Sequence, residues 1–257
     1  MGTCPAVGTP PCHSLVMAYR LPMFPLSTVL FPSGQLSLHV FEARYRKMTV
    51  DCLAGSGEFG VVLISRGSEV GGGDQRVMMG SVAGIEHAHR LADGRWLLIA
   101  DGRRRIRVEE WLPDDPYPVA LVSDVDDWEP PRSAPDKDWS GENADMVDLA
   151  LQMATAMAAN RAVERARALL SELDRPVPPP AGHLEVEDPD DGGRREPEPG
   201  EPGWLTMVSW QLCAMAPLTP LDAQSLLEER DPRDRLVDLT ELMEDAGDDL
   251  VRLLAGG

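Results

Sequence analysis

Residues 79–111 read MGSVAGIEHAHRLADGRWLLIADGRRRIRVEEW, and this stretch decides the fold. Three runs rich in apolar and β-branched residues are cut by Asp93-Gly94 and Asp101-Gly102. An Asp-Gly pair suits a two-residue hairpin turn, because both central positions can take positive φ there. The spacing predicts strands over 79–91, 95–100 and 103–111 with a tight turn in each gap. Tyr117 to Val125 adds a fourth run, so the middle of the chain reads as an antiparallel meander.

Working back toward the N-terminus, Phe59 to Ser65 (FGVVLIS) is a short continuous apolar run and reads as a buried strand. Leu36, Leu38 and Val40 alternate with polar residues, the period of a strand with one buried face. A helix is predicted over 42–54, with Phe41, Tyr45, Met48 and Cys52 on one face and Gly55 closing it. The first residues lack periodicity, a basic n-region and an apolar h-region. Residues 1–19 are therefore expected to be a disordered leader, with Met17 a candidate start.

Working toward the C-terminus, the pattern changes after Asp126. Residues 127–140 carry Pro130, Pro131 and Pro135 among charges and read as a linker. Leu149, Met153, Ala156, Val163, Ala166, Leu170 and Leu173 then fall at three/four spacing. That predicts one long helix, with Ser140 as its cap. Residues 174–203 are rich in Pro, Gly and acid and are expected to be disordered. A helix over 204–215 follows. Thr219-Pro220 and Asp231-Pro232 each place a capping residue before a proline and start two more helices. The expected architecture is α+β: a β-rich domain with one helix over 20–126, then a helical bundle over 141–257.

The chain has 257 residues and a formal net charge of −19, nearly all of the excess acid lying after Asp126. That balance opposes binding to nucleic acid or anionic lipid. No apolar run approaches the roughly 20 residues of a membrane helix. The four cysteines, Cys4, Cys12, Cys52 and Cys213, form no CxxC pair, and Cys52 and Cys213 sit in apolar helical patterns. A reducing cytoplasm is the expected location.

LPMFPLSTVLFPSGQLSLHVFEARYRKM, Leu21 to Met48, resembles the opening signature of the Lon N-terminal, substrate-binding domain family. The matching residues are Phe24, Pro25, Leu26, Val29, Leu30, Phe31, Pro32, Leu38, His39, Phe41, Glu42, Arg44, Tyr45 and Met48. FGVVLI at Phe59, GSVAGI at Gly80, DGRWLLIADGRRRIRV at Asp93 and YPVALV at Tyr117 resemble the family's strands. QSLLEERDPRDRL, Gln224 to Leu236, is similar to its helix junction. The resemblance implies a PUA-like pseudo-barrel followed by a helical bundle. It implies a protein-binding role toward unfolded or degron-bearing clients, together with a protease or chaperone, and no cofactor. The chain holds no GxxxxGK[ST] loop, and Lys47 and Lys137 stand in no context like Lon's Ser-Lys pair. Recognition without ATP or peptide hydrolysis is the expected function.

Phe31, His39, Phe41, Arg44 and Tyr45 are the candidate protein-binding surface. The competing reading puts the three aromatic residues in the core and lets Arg44 and His39 tie down loop carbonyls. His87 and His89 alternate on a strand and could begin a metal site, but no third ligand has a recognisable spacing. Arg103, Arg105 and Arg107 are expected on one strand face, which raises RNA binding as an alternative, although no stacking aromatics accompany them. A cryptic hydrolase is the other alternative, and no GxSxG or HExxH motif nominates it. Met146, Met153 and Met157 on one helix suit either an adaptable surface or helix packing, and packing is the expected use.

Overall fold

Tyr19–Leu26 (β1) and Gln35–Val40 (β2) lead into helix Ala43–Ala54 (α1). Strands Glu58–Arg66 (β3), Gln75–Arg90 (β4), Trp96–Leu112 (β5) and Val119–Val125 (β6) follow. The helical half holds Gly141–Glu172 (α2), a two-residue ladder of Val186–Glu187 (β7) with Arg194–Arg195 (β8), then Trp204–Met215 (α3), Pro220–Glu228 (α4) and Pro232–Ala255 (α5). This computed structural model describes residues 17–66, 75–127, 141–181, 186–187 and 194–255. The leader up to residue 16, residues 128–140 of the linker, with Lys137 and Ser140, and the centre of the acidic insertion lie outside the described residues.

The sheet closes on itself through β5. That strand pairs with β4 along one edge. Along its other edge it pairs first with β2 and further on with β6. β1 runs parallel to β3 and antiparallel to β6. The ring β5–β4–β3–β1–β6 is thereby complete, with β2 added outside it. Closure leaves few unpaired strand edges.

Asp101-Gly102 is not a turn, contrary to the sequence expectation. β5 runs straight through it, and only Asp93-Gly94 turns, with Gly94 at φ 84°. Val82 pairs with Arg104 while Ala83 pairs with Gly102, so Arg103 is the extra residue of a bulge. Glycine is required here for close approach, not for a turn: a Cβ on Gly102 would lie 1.9 Å from the Phe31 carbonyl oxygen. The loop after β1 docks at this point. The Ser33 amide donates to the Gly102 carbonyl (3.0 Å), and the Gly102 amide donates to the Gly34 carbonyl (2.7 Å).

Three apolar clusters fill the molecule. Met23, Val62, Val82, Ile106, Val108, Ala120 and Val122 come from every strand of the ring and fill its lumen. Gly60 leaves room there for the Met23 and Ile106 side chains. α1 lays Tyr45, Met48 and Cys52 against Phe24, Phe59, Val61 and Leu98. The third cluster belongs to the helices, around Trp210, Leu226, Leu236 and Leu239, and takes in Phe31 and Met79 from the β half. The two halves therefore share one core.

α2 and α5 run parallel, tied by Asp148–Arg233 (2.6 Å) at one end and Arg165–Asp248 (3.0 Å) at the other. Thr219 caps α4 by accepting the Asp222 amide, with Pro220 next. Asp231 accepts the Arg233 amide (2.8 Å) at the start of α5. Parts of the stretch expected to be disordered are placed against the bundle. Arg167 donates to the Pro178 and Met215 carbonyls (2.9 and 2.8 Å). Arg195 grips Glu201 through two 2.7 Å bonds, and these hold the Glu201 carboxyl down at about 2.

Candidate functional site

The five residues expected to form one binding surface do not come together. Phe31 is buried in the helical cluster, its ring 5.9 Å from that of Trp210. Tyr45 is buried in a different cluster and stacks on Phe24 at 4.0 Å. Phe41 precedes α1 rather than joining its buried face, because Glu42 is the cap residue, and it is 53% exposed. Arg44 pairs with Glu42 (3.0 Å) and lies 4.5 Å over the Tyr45 ring. His39 is exposed on β2, in register with Leu97. Aromatic residues at helical spacing and in the β1–β2 loop went to the core, where their area contributes most. Phe41 and His39 remain at the surface.

The arginine row also dissolves. A bulge at Arg103 interrupts the ladder and Arg105 is buried under the helices, so 103, 105 and 107 do not line one solvated face. Arg103 pairs with Glu86. Arg104 pairs with Glu58 (2.8 Å) and Asp124 (3.1 Å), and its bonds to Glu58 raise its pKa. A polar cavity of about 320 Å³ lies beside them, lined in part by Gly57, Glu58 and Gly84. Both arginines that line it are already answered by carboxylates. This arrangement offers no cationic strip to a phosphate backbone.

Arg105 has another task. It is 1% exposed and points from β5 into the helices. Its guanidinium donates to the Leu227 and Glu229 carbonyls (3.0 and 2.8 Å) and to Asp127 (2.9 Å). Arg235 of α5, wholly buried, bonds the same Asp127 oxygen, the Glu229 carbonyl (2.7 Å) and Ser209 (2.6 Å). Trp210 donates its indole N–H to the other Asp127 oxygen (3.0 Å) and lies flat under Arg235, 3.4 Å away. Two buried cations thus share one carboxylate. The carbonyls at the C-terminal end of α4 supply the remaining negative potential. Burial pulls Arg105 down to about 10 and lowers Arg235 as well, while Asp127 opposes both shifts. At about 10, Arg105 stays charged at neutral pH. This node latches barrel to bundle. Sequence reasoning missed Asp127, Trp210 and Arg235. One signal existed: Arg235, Leu239 and Met243 are four apart, so an arginine sits on the buried stripe of α5.

The apolar concavity lies at the far end of the bundle. A cavity of about 780 Å³ opens between the C-terminal ends of α2 and α5 and the 175–178 segment. Leu170, Leu173, Val177, Leu218, Leu250 and Leu253 line it, with Arg175 as the charged member. Its size suits a few apolar side chains of a partner. His87 and His89 are exposed on β4, and among the described residues no group of three or more His, Cys, Asp or Glu side chains is placed to hold a metal ion. Cys52 and Cys213 are buried free thiols, pushed up to about 12 mainly by burial, so neither is a thiolate at neutral pH. No helix among the described residues is long and apolar enough to cross a membrane.

A closed β-barrel with a helix packed on it, latched by buried arginines to a helical bundle, defines an α+β domain of the Lon N-terminal type. The family model for the ATP-dependent protease La (LON) substrate-binding domain matches residues 20–195, and the chain belongs to that family. The Lon N-terminal domain protein of Xanthomonas campestris superposes with a TM-score of 0.51 at 26% identity, over 86% of this chain and 96% of that one. The N-terminal domain of the Mycobacterium avium complex Lon protease has the same fold, with a TM-score of 0.50 at 16% identity over 88% and 99% of the two chains. The Lon protease of Flavobacterium johnsoniae is 28% identical over 52% of this chain and 16% of its own length. Lon protease 2 of Herpetosiphon aurantiacus is 32% identical over 44% and 14%. The chain thus matches about one-sixth of the length of these proteases.

Proposed function

We propose that this chain is a non-catalytic module that grips exposed apolar segments of other proteins. The observation that carries this reading is the leucine-lined cavity at the end of the bundle, in a chain of the substrate-binding family. An extended segment could lay two or three apolar side chains into it, gaining area burial at about 25 cal/mol per Å². Unfolded or degron-bearing proteins are the clients this chemistry favours, since native proteins rarely expose such runs. Hand-over to a protease or chaperone belongs to the same proposal. So does residence in a reducing cytoplasm, which the two buried free thiols support.

The test compares binding of a reduced, carboxymethylated protein with binding of the same protein in its native fold, read by fluorescence anisotropy. Leu253 lines the cavity and is 61% exposed, so Leu253→Glu changes the site without emptying a core position. Preference for the unfolded form is expected, weakened about tenfold by the variant. Equal affinity for both forms, or an unaltered affinity in Leu253→Glu, would remove this reading.

A further inference from the structure

The outer face of α2 changes character part-way along. Its inner face is uniform: Ala156, Ala159, Val163 and Ala166 are all buried. On the opposite face the later turns present Arg161 and Glu164, an ordinary solvated surface. The earlier turns instead present Met146, Val147, Leu151, Met153 and Met157, each between 40% and 69% exposed. The methionines were expected to pack in the bundle, and the structure leaves them outside it. The buried stripe is carried by alanine and valine, which let α5 come close. A lone exposed apolar residue is commonplace; three consecutive turns of them on one helix mark a covered face.

The order of residues along the face indicates what covers it. Met146, Ala150, Met153 and Met157 are spaced four, three and four, the seam of a two-helix coiled coil. The seam is self-complementary. Met146 and Met157 are equidistant from the midpoint between Leu151 and Gln152, and so are Ala150 and Met153. A second α2 laid antiparallel across it matches long side chain with long, Met146 with Met157, and small with large, Ala150 with Met153.

We propose that a second copy of this chain covers this face, through antiparallel packing of two α2 helices about a two-fold axis. A two-fold contact needs one patch that complements itself, and this patch does. The net charge of −19 on each copy opposes association, and the seam spans only three turns. The dimer is therefore weak and concentration-dependent, at the small end of specific interfaces. The face lies on the first half of α2, away from the leucine-lined cavity, and the proposal does not depend on client binding there.

Sedimentation analysis of the full chain from low to high micromolar concentration tests this. The wild type is expected to move toward dimer mass, and Met153→Glu to stay monomeric with an unchanged circular dichroism spectrum. Orientation is read by a short bis-maleimide in a Cys4→Ser, Cys12→Ser background. Met146→Cys mixed with Met157→Cys should crosslink, and each alone should not. A wild type that stays monomeric at the highest concentration overturns the proposal and leaves the face to a different protein. A dimer that survives Met153→Glu overturns it too, as does self-crosslinking of either single variant as strong as that of the mixture.

Discussion

Gly102 and Gly57 are both glycines for different reasons, and substitution separates them. At Gly102 the obstacle is backbone: an added Cβ meets the Phe31 carbonyl, which cannot swing aside like a side chain. Gly102→Ala should lift the 31–34 loop and break its two hydrogen bonds to β5. The expected cost is about 2–4 kcal/mol by urea denaturation. Gly57 has φ +74° and nothing within 4 Å of an added Cβ, so Gly57→Ala meets only backbone strain, about 1–2 kcal/mol. A Gly57 variant less stable than the Gly102 variant would contradict the steric account.

At the scale of elements, the latch matters most. Asp127 follows β6 and meets β5, α3 and α5 through Arg105, Trp210 and Arg235. Asp127→Ala leaves two buried guanidinium groups without their shared anion, and removing one partner of a buried charge group costs about 3–5 kcal/mol. The variant should unfold at lower denaturant. It should also be cut by protease between barrel and bundle before either half is degraded. A loss below about 1 kcal/mol would mean that the α4 carbonyls alone satisfy both arginines. α2 shows a related division of labour: its small residues face α5, and its large ones face outward.

For the whole molecule, four thiol and phenol groups set the onset of the alkaline limb of stability, and Arg105, lowered to about 10, acts in the opposite sense only above that pH. Burial raises Cys52 and Cys213 from 9.0 to about 12. Tyr19 and Tyr117 rise from 10.0 to about 12, mainly by burial and then by hydrogen bonds to Asp124 and Asp51. In each case folding favours the protonated form. Their contribution is complete below about pH 9, falls as the unfolded chain ionises, and is gone once pH passes about 12. The thermal midpoint should hold up to about pH 9 and decline above it. A midpoint that rises between pH 9 and 10 would show that these groups are not protonated in the fold.

Local rules were enough for most of the elements, because the signals that carry them are local. The period-two run of β2, the apolar run of β3, the Asp93-Gly94 turn and the proline-marked starts of α4 and α5 each depend on neighbours a few residues away. The opening signature likewise pointed to the family on its own. Closure of the barrel was not legible. The parallel pairing of β1 with β3 and the return of β6 to β1 join segments far apart in the chain. The same holds for the binding surface. Phe31 and Tyr45 look alike as exposed or buried aromatics until Trp210 and Phe24 arrive beside them. Asp101-Gly102 reads as a turn until the Phe31 carbonyl is seen above it. Sequence periodicity says which side of an element is apolar. Only packing in three dimensions decides which apolar sides find partners within the chain, and for the methionines of α2 it left them outside the bundle.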